Sequence, residues 1–216
     1  MRAIRLSMRA FGPYLEKQMI DFEMLGDESI FLITGPTGAG KTTIFDAICY
    51  ALYGRASGSD RDQDSLRSHF AAIDEPTEVE FRFALNNHVY EIIRNPKQQK
   101  KKERGEGFTE EPAKAILYEI VNGEKQLLSS RIKDVNESIE EKLGFDYEQF
   151  RKMVLIPQGE FRKLISENSK EREAILQKIF RTYFYEKMTE ELKAQAKDLE
   201  SQVKKLEADV NYGLSK

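Results

Sequence analysis

Residues 33–54 read ITGPTGAGKTTIFDAICYALYG, and Gly35 to Thr42 within them, GPTGAGKT, fits the phosphate-loop pattern G-x-x-x-x-G-K-[ST] at every constrained position. The context is as informative as the match. Ahead of it, Ser29 to Thr34 carries the apolar run Ile30-Phe31-Leu32-Ile33 and reads as a short buried strand. Behind it, Ile44, Phe45, Ile48, Ala51 and Leu52 recur at helical spacing on one face. A strand, a glycine loop and a helix in that order predict an α/β fold of the P-loop NTPase class.

The chemistry asks for these residue types. Gly35, Gly38 and Gly40 let the backbone of Gly35-Pro36-Thr37-Gly38-Ala39-Gly40 curl, so that successive N–H groups face an incoming phosphate with no side chain in between. The helix opening near Lys41 adds the positive end of its dipole. Lys41 is expected to neutralise the β and γ phosphates, Thr42 to offer its hydroxyl to Mg²⁺, and Thr43 to add an α-phosphate contact. ATP and Mg²⁺ are therefore the expected cofactors. Cys49, in the same helix, reads as a small packing residue.

Composition bounds the rest. The 216 residues are 40% hydrophobic, enough for one good core, and 33% charged, which is above the usual quarter or so and points to an exposed, extended part. A net charge of −3 excludes a basic DNA-coating protein, so nucleic-acid contact has to be a local patch or a partner's. The lone cysteine rules out an internal disulfide, and no apolar stretch reaches the eighteen or so residues of a membrane span. With no secretory h-region at the start, a soluble cytoplasmic protein without membrane contact is expected.

Outward from the loop, Ile4, Leu6 and Met8 alternate in an opening strand, and Met19 to Phe22 forms a second. A β-rich region over 77–122 starts with a hairpin, Val79, Phe81, Phe83 and Leu85 returning through Asn86-Asn87 into Val89 to Ile93, and ends with a strand over Ala113 to Val121. Between them KQQKKKERGEGFTEEP, 97–112, has no apolar period and reads as a mobile charged loop. A solvated loop outweighs a DNA contact there, because Glu103, Glu106, Glu110 and Glu111 follow Lys97, Lys100, Lys101, Lys102 and Arg104. Helices are expected over Arg131 to Leu143, from Tyr147, and from about Ser169 onward. In the last, Tyr185, Leu192, Leu199 and Leu206 are seven apart, with Thr189, Ala196, Val203 and Val210 four beyond each. That is a coiled-coil heptad in need of a partner helix. Two domains result: a lobe over 1–168, and the start of a coiled coil over 169–216.

Three further stretches carry a resemblance. AIRLSMRAFGPYLEKQMIDFE at 3–23 resembles the opening of SMC-like ABC ATPases, ALYGRASGSDRDQDSLRSHFA at 51–71 the segment after the phosphate-loop helix in the bacterial SbcC family, and VLIPQGEF at 154–161 that family's Q-loop over 157–159. The resemblance implies an ABC-type ATPase N-terminal lobe with an antiparallel β subdomain. It also implies that Gln158 reaches the Mg²⁺ and the attacking water, a catalytic and metal-binding role. Taken alone, Pro157-Gln158-Gly159 reads as a surface turn. Where some relatives carry an arginine near the nucleotide this chain has Gly12, so no such arginine is assigned, and Arg55, Arg61 and Arg67 stay open between nucleotide, DNA and solvent.

An ABC ATPase also needs an acidic pair after an apolar run and a Leu-Ser-Gly-Gly-Gln type loop. Neither is present; Leu128-Ser129-Ser130 lacks the glycines. In the SbcC family they lie in a C-terminal half, so the resemblance implies a fragment whose C-terminal lobe completes the site and which alone hydrolyses ATP very slowly. The implied function is the ATPase subunit of a DNA double-strand-break repair exonuclease. ATP would close a homodimer of heads and gate a partner nuclease, SbcD, at duplex DNA ends. Phe161, Leu164, Ile165, Phe180 and Phe184 are candidates for docking SbcD and equally for core. The nuclease chemistry itself is absent, since His69 and His88 have no clustered ligands. A structural SMC-type chromosome ATPase and, less well supported, a transporter's nucleotide-binding subunit are the alternatives.

Overall fold

The computed structural model describes residues 1–26, 28, 30–57, 66–102, 105–151, 155 and 183–214. Two compact units divide the chain, Met1–Gln158 and Gly159–Lys216.

In the first unit β1 (Arg2–Arg9), β2 (Gln18–Asp21), β3 (Glu78–Leu85), β4 (His88–Asn95), β7 (Lys114–Val121) and β8 (Glu124–Ser129) make one antiparallel sheet, ordered β2-β1-β3-β4-β7-β8. Period-two alternation puts Leu6, Phe81, Ile92 and Leu117 in register on one face, a row that is fully buried. Phe81 and Phe83 stack at 5.4 Å between centroids. Against this face lie α1 (Lys41–Tyr53) and α2 (Ile132–Leu143), whose Val135 and Ile139 are buried, followed by the short helix α3 (Tyr147–Phe150). Asn86 and Asn87 both take the left-handed conformation that a two-residue hairpin turn requires.

The opposite face of the sheet carries charge. Glu91 on β4 is fully buried between Arg82, which donates through Nε at 2.8 Å, and Lys125, with Arg5 at 3.8 Å. Burial alone would raise its pKa, but hydrogen bonds from Lys125 and Arg82 outweigh that and hold the carboxyl below the usual value. A lowered folded-state pKa stabilises the protein above the unfolded value and ceases to do so as pH falls through it. Glu91→Gln leaves three partly exposed cations without their anion, and is expected to cost about 2 kcal/mol at neutral pH, with the gap to wild type closing below about pH 4. Thermal melts across pH 3–7 check both.

Three expectations fail here. Residues 30–34 form no strand: Ile30 is 89% and Leu32 84% exposed, with Phe31 at 48%. A strand buried on both faces needs a neighbour on each side, and among the described residues the sheet ends at β2 and β8 without taking this segment in. The charged segment 97–112 is not a loop throughout. It folds as a hairpin of β5 (Gln98–Lys101) and β6 (Phe108–Glu111), with Lys97 paired to Glu110. Its root is anchored where Gln98, buried, accepts the Thr77 N–H at 2.7 Å. The edge strand β8 had no counterpart in the sequence reading, and Phe45, expected on the buried helix face, is 39% exposed.

In the second unit α4 (Tyr183–Leu214) is a 32-residue helix. Leu192, Leu199 and Leu206 are each over 60% exposed, as every other described side chain of α4 is exposed, so nothing among the described residues covers the heptad leucines. The expected helix start near Ser169 lies outside the described residues.

Candidate phosphate-binding site

The glycine loop ends at α1, and the way α1 begins defines the site. Its N-cap is Gly40, left-handed at φ 88°, with no side-chain hydrogen bond to the first-turn N–H groups and no acidic residue in that turn. Those donors are available to an anion, and the helix dipole favours one there. Thr42 is exposed at this end, and Thr43 is buried. Lys41 bends back over the loop and donates from Nζ to Gly35 O at 2.8 Å and Pro36 O at 2.7 Å, while the Ala39 N–H reaches Pro36 O at 3.2 Å. The ammonium therefore sits over the six residues Gly35 to Gly40. Donor set, uncapped helix start and lysine fit a polyphosphate with a magnesium ion at the Thr42 hydroxyl.

The other end of α1 is held by groups the sequence did not announce. Arg94, 3% exposed, donates from Nε to Ala51 O at 2.6 Å and from Nη2 to Leu52 O at 3.0 Å and Asn136 Oδ1 at 2.6 Å. It satisfies the terminal carbonyls that a helix cannot satisfy itself and bolts α1 to β4 and α2. Burial pulls its pKa down to about 10, so it stays charged at neutral pH. Asp46 accepts from the Ser57 N–H at 3.1 Å and from its hydroxyl, holding the chain that leaves the helix. Two tyrosines tie this end of α1 to the segment around α3: Tyr53 donates to Phe145 O at 2.9 Å and, in return, Tyr147 donates to Ala56 O at 2.6 Å, their rings edge-on at 6.1 Å. Asp146 and Gln149 close a capping box on α3 just beyond.

Of the open arginines, Arg67 is spent on Ala72 O, Glu75 O and Thr77 Oγ1, and Arg55 stands 5.3 Å over the Tyr147 ring. Arg61 and Gln158 lie outside the described residues, as do Phe161, Leu164, Ile165, Phe180 and the side chain of Phe184. Burial pushes the Cys49 thiol up to about 12, in keeping with a packing role. Among the described residues no three His, Cys, Asp or Glu side chains gather to hold a metal, and no helix is long and apolar enough to cross a membrane.

Residues 5–214 match the AAA domain family, which is nearly the whole chain. The chain belongs to the AAA domain family. Within it, the P-loop fold class expected from the sequence stands. This AAA domain is 40% identical over 215 residues to the SbcC subunit of the SbcCD nuclease of Vibrio cholerae, covering 100% of this chain and 21% of that protein. The protein of the same name in Lactococcus lactis is 42% identical over 202 residues, covering 92% and 19%. That of Staphylococcus aureus MRSA252 is 39% identical over 204 residues, covering 94% and 20%. The AAA domain thus spans about a fifth of the length of the curated relatives it matches, and the resemblance to the N-terminal part of the SbcC family is borne out. A likeness to the SMC head domain from Thermotoga maritima, at TM-score 0.35 and 24% identity over 64% of this chain and 42% of that one, is too weak to argue from.

Proposed function

We propose that the chain is the ATP-binding half of a composite ATPase head in an SbcCD-type nuclease. The observation that carries this is the uncapped start of α1 with Lys41 folded over Gly35 to Gly40. On this reading the loop amides from Gly35 to Gly40 with Lys41 and Thr43 hold the phosphates of ATP, Thr42 holds Mg²⁺, and Gln158 orients metal and water. The second half of the site comes from a C-terminal lobe. Two exposures support it: the apolar run Ile30 to Leu32 is left for a neighbour to cover, and the uncovered heptad leucines on α4 suit a returning helix. ATP shared between two completed heads would close a dimer, which would gate the nuclease subunit SbcD at duplex DNA ends.

The division of labour is testable. The chain alone is expected to bind Mg²⁺·ATP and hydrolyse it at a small fraction of the rate reached once the C-terminal lobe is added, because the acidic pair and the closing surface are supplied by that lobe. Steady-state turnover by the chain alone near about one per second, an ordinary enzyme rate, would contradict the proposal.

A further inference from the structure

We infer that Tyr14 is a positioning residue for the phosphate loop, fixing the Gly40 N–H as a phosphate donor; this rests on the reading of that loop as the ATP site. The Tyr14 hydroxyl donates to the Ala39 carbonyl at 3.2 Å. In a planar trans peptide the carbonyl and the next residue's N–H point opposite ways. Holding Ala39 O toward Tyr14 therefore turns the Gly40 N–H away from it, and that N–H is the last loop donor before α1 takes over.

The strut is stiff because both of its ends are. Phe11 and Tyr14 exchange backbone bonds, Phe11 N–H to Tyr14 O at 2.9 Å and Tyr14 N–H to Phe11 O at 3.0 Å, and the Gly12 N–H reaches Leu66 O at 2.8 Å. Phe11 is fully buried and packs on Tyr50 of α1 at 5.9 Å, so one turn grips the helix from its side and the loop from its tip. Two glycines make the approach possible. A Cβ on Gly12 would lie 2.6 Å from Thr43 Cγ2, and one on Gly40 would lie 2.7 Å from Tyr14 Cζ and 2.9 Å from Pro13 Cγ. Gly12 thus lets the turn close onto Thr43 at the start of α1, and Gly40 leaves room for the tyrosine behind the loop.

The test is Tyr14→Phe, which deletes only the hydroxyl. Calorimetry with Mg²⁺·ATP and with inorganic tripolyphosphate should show both bound about threefold to tenfold more weakly, the worth of one hydrogen bond. The Gly40 amide proton, which in wild type should move downfield when tripolyphosphate binds, should move less in the variant. A role confined to stability would lower the melting temperature and leave both affinities and that shift alone, which overturns the inference. Weaker ATP binding with tripolyphosphate unaffected also overturns it, since Tyr14 would then act on base or ribose. So does a wild-type Gly40 amide indifferent to tripolyphosphate. Lys41→Ala separates the layers. If it loses both probes while Tyr14→Phe binds normally, only the strut falls. If Lys41→Ala binds normally, the phosphate site falls and the strut with it.

Discussion

Lys41→Ala is expected to weaken Mg²⁺·ATP binding by at least about a hundredfold, ~2.7 kcal/mol, while shifting the melting temperature little. The side chain emerges from the first residue of α1 and makes two bonds to loop carbonyls, so its removal deletes both a cation and the clasp that closes Gly35 and Pro36 over the site. Neither bond is part of the buried core, which is why the fold should survive. Calorimetry beside a thermal melt separates the effects, and wild-type affinity in a folded variant would refute the site.

Gly40→Ala should act through geometry and touch both quantities. The residue is left-handed at φ 88°, where a Cβ costs about 1 kcal/mol, and the added methyl would collide with the Tyr14 hydroxyl and ring and with Pro13. Relief requires the turn at Phe11 to Tyr14 to back away, which releases Ala39 and unsettles the start of α1. A loss of about thirtyfold or more in ATP affinity is expected, ~2 kcal/mol, together with a drop of several degrees in melting temperature. Unchanged affinity would show that the loop tolerates a Cβ at its junction with the helix, against the contact geometry.

How much of this is legible from sequence depends on how local the physics is. The loop, α1 and the Asn86-Asn87 hairpin are specified by residues adjacent in sequence, and they stand where the pattern puts them. The long helix is legible because its heptad period needs no partner to be seen, and a helix runs over Tyr183–Leu214. The run at 30–34 misleads because apolar content reports a tendency to be covered, whereas coverage depends on strands lying beside it. The segment 97–112 misleads because its pairing is secured from outside, by Gln98 on the Thr77 amide, which no periodicity reveals. Buried Glu91 and Arg94 break the alternation of β4, and their partners come from β3, β8, α1 and α2. Tyr14 stands out in the sequence only as part of a resemblance. The one local hint, a Gly-Pro turn just before an aromatic residue, becomes a reason only once the phosphate loop is seen to pass within reach.

The bare stretch ahead of the phosphate loop also sets how the chain behaves in a tube. Four consecutive residues, Ile30 to Ile33, carry no charge and no proline, and three of them present large apolar side chains to water. Such a segment can template β-pairing between molecules, so self-association should rise with concentration and with salt that screens the flanking acids. Adding a strand that docks there would act as a solubiliser as well as a structural complement.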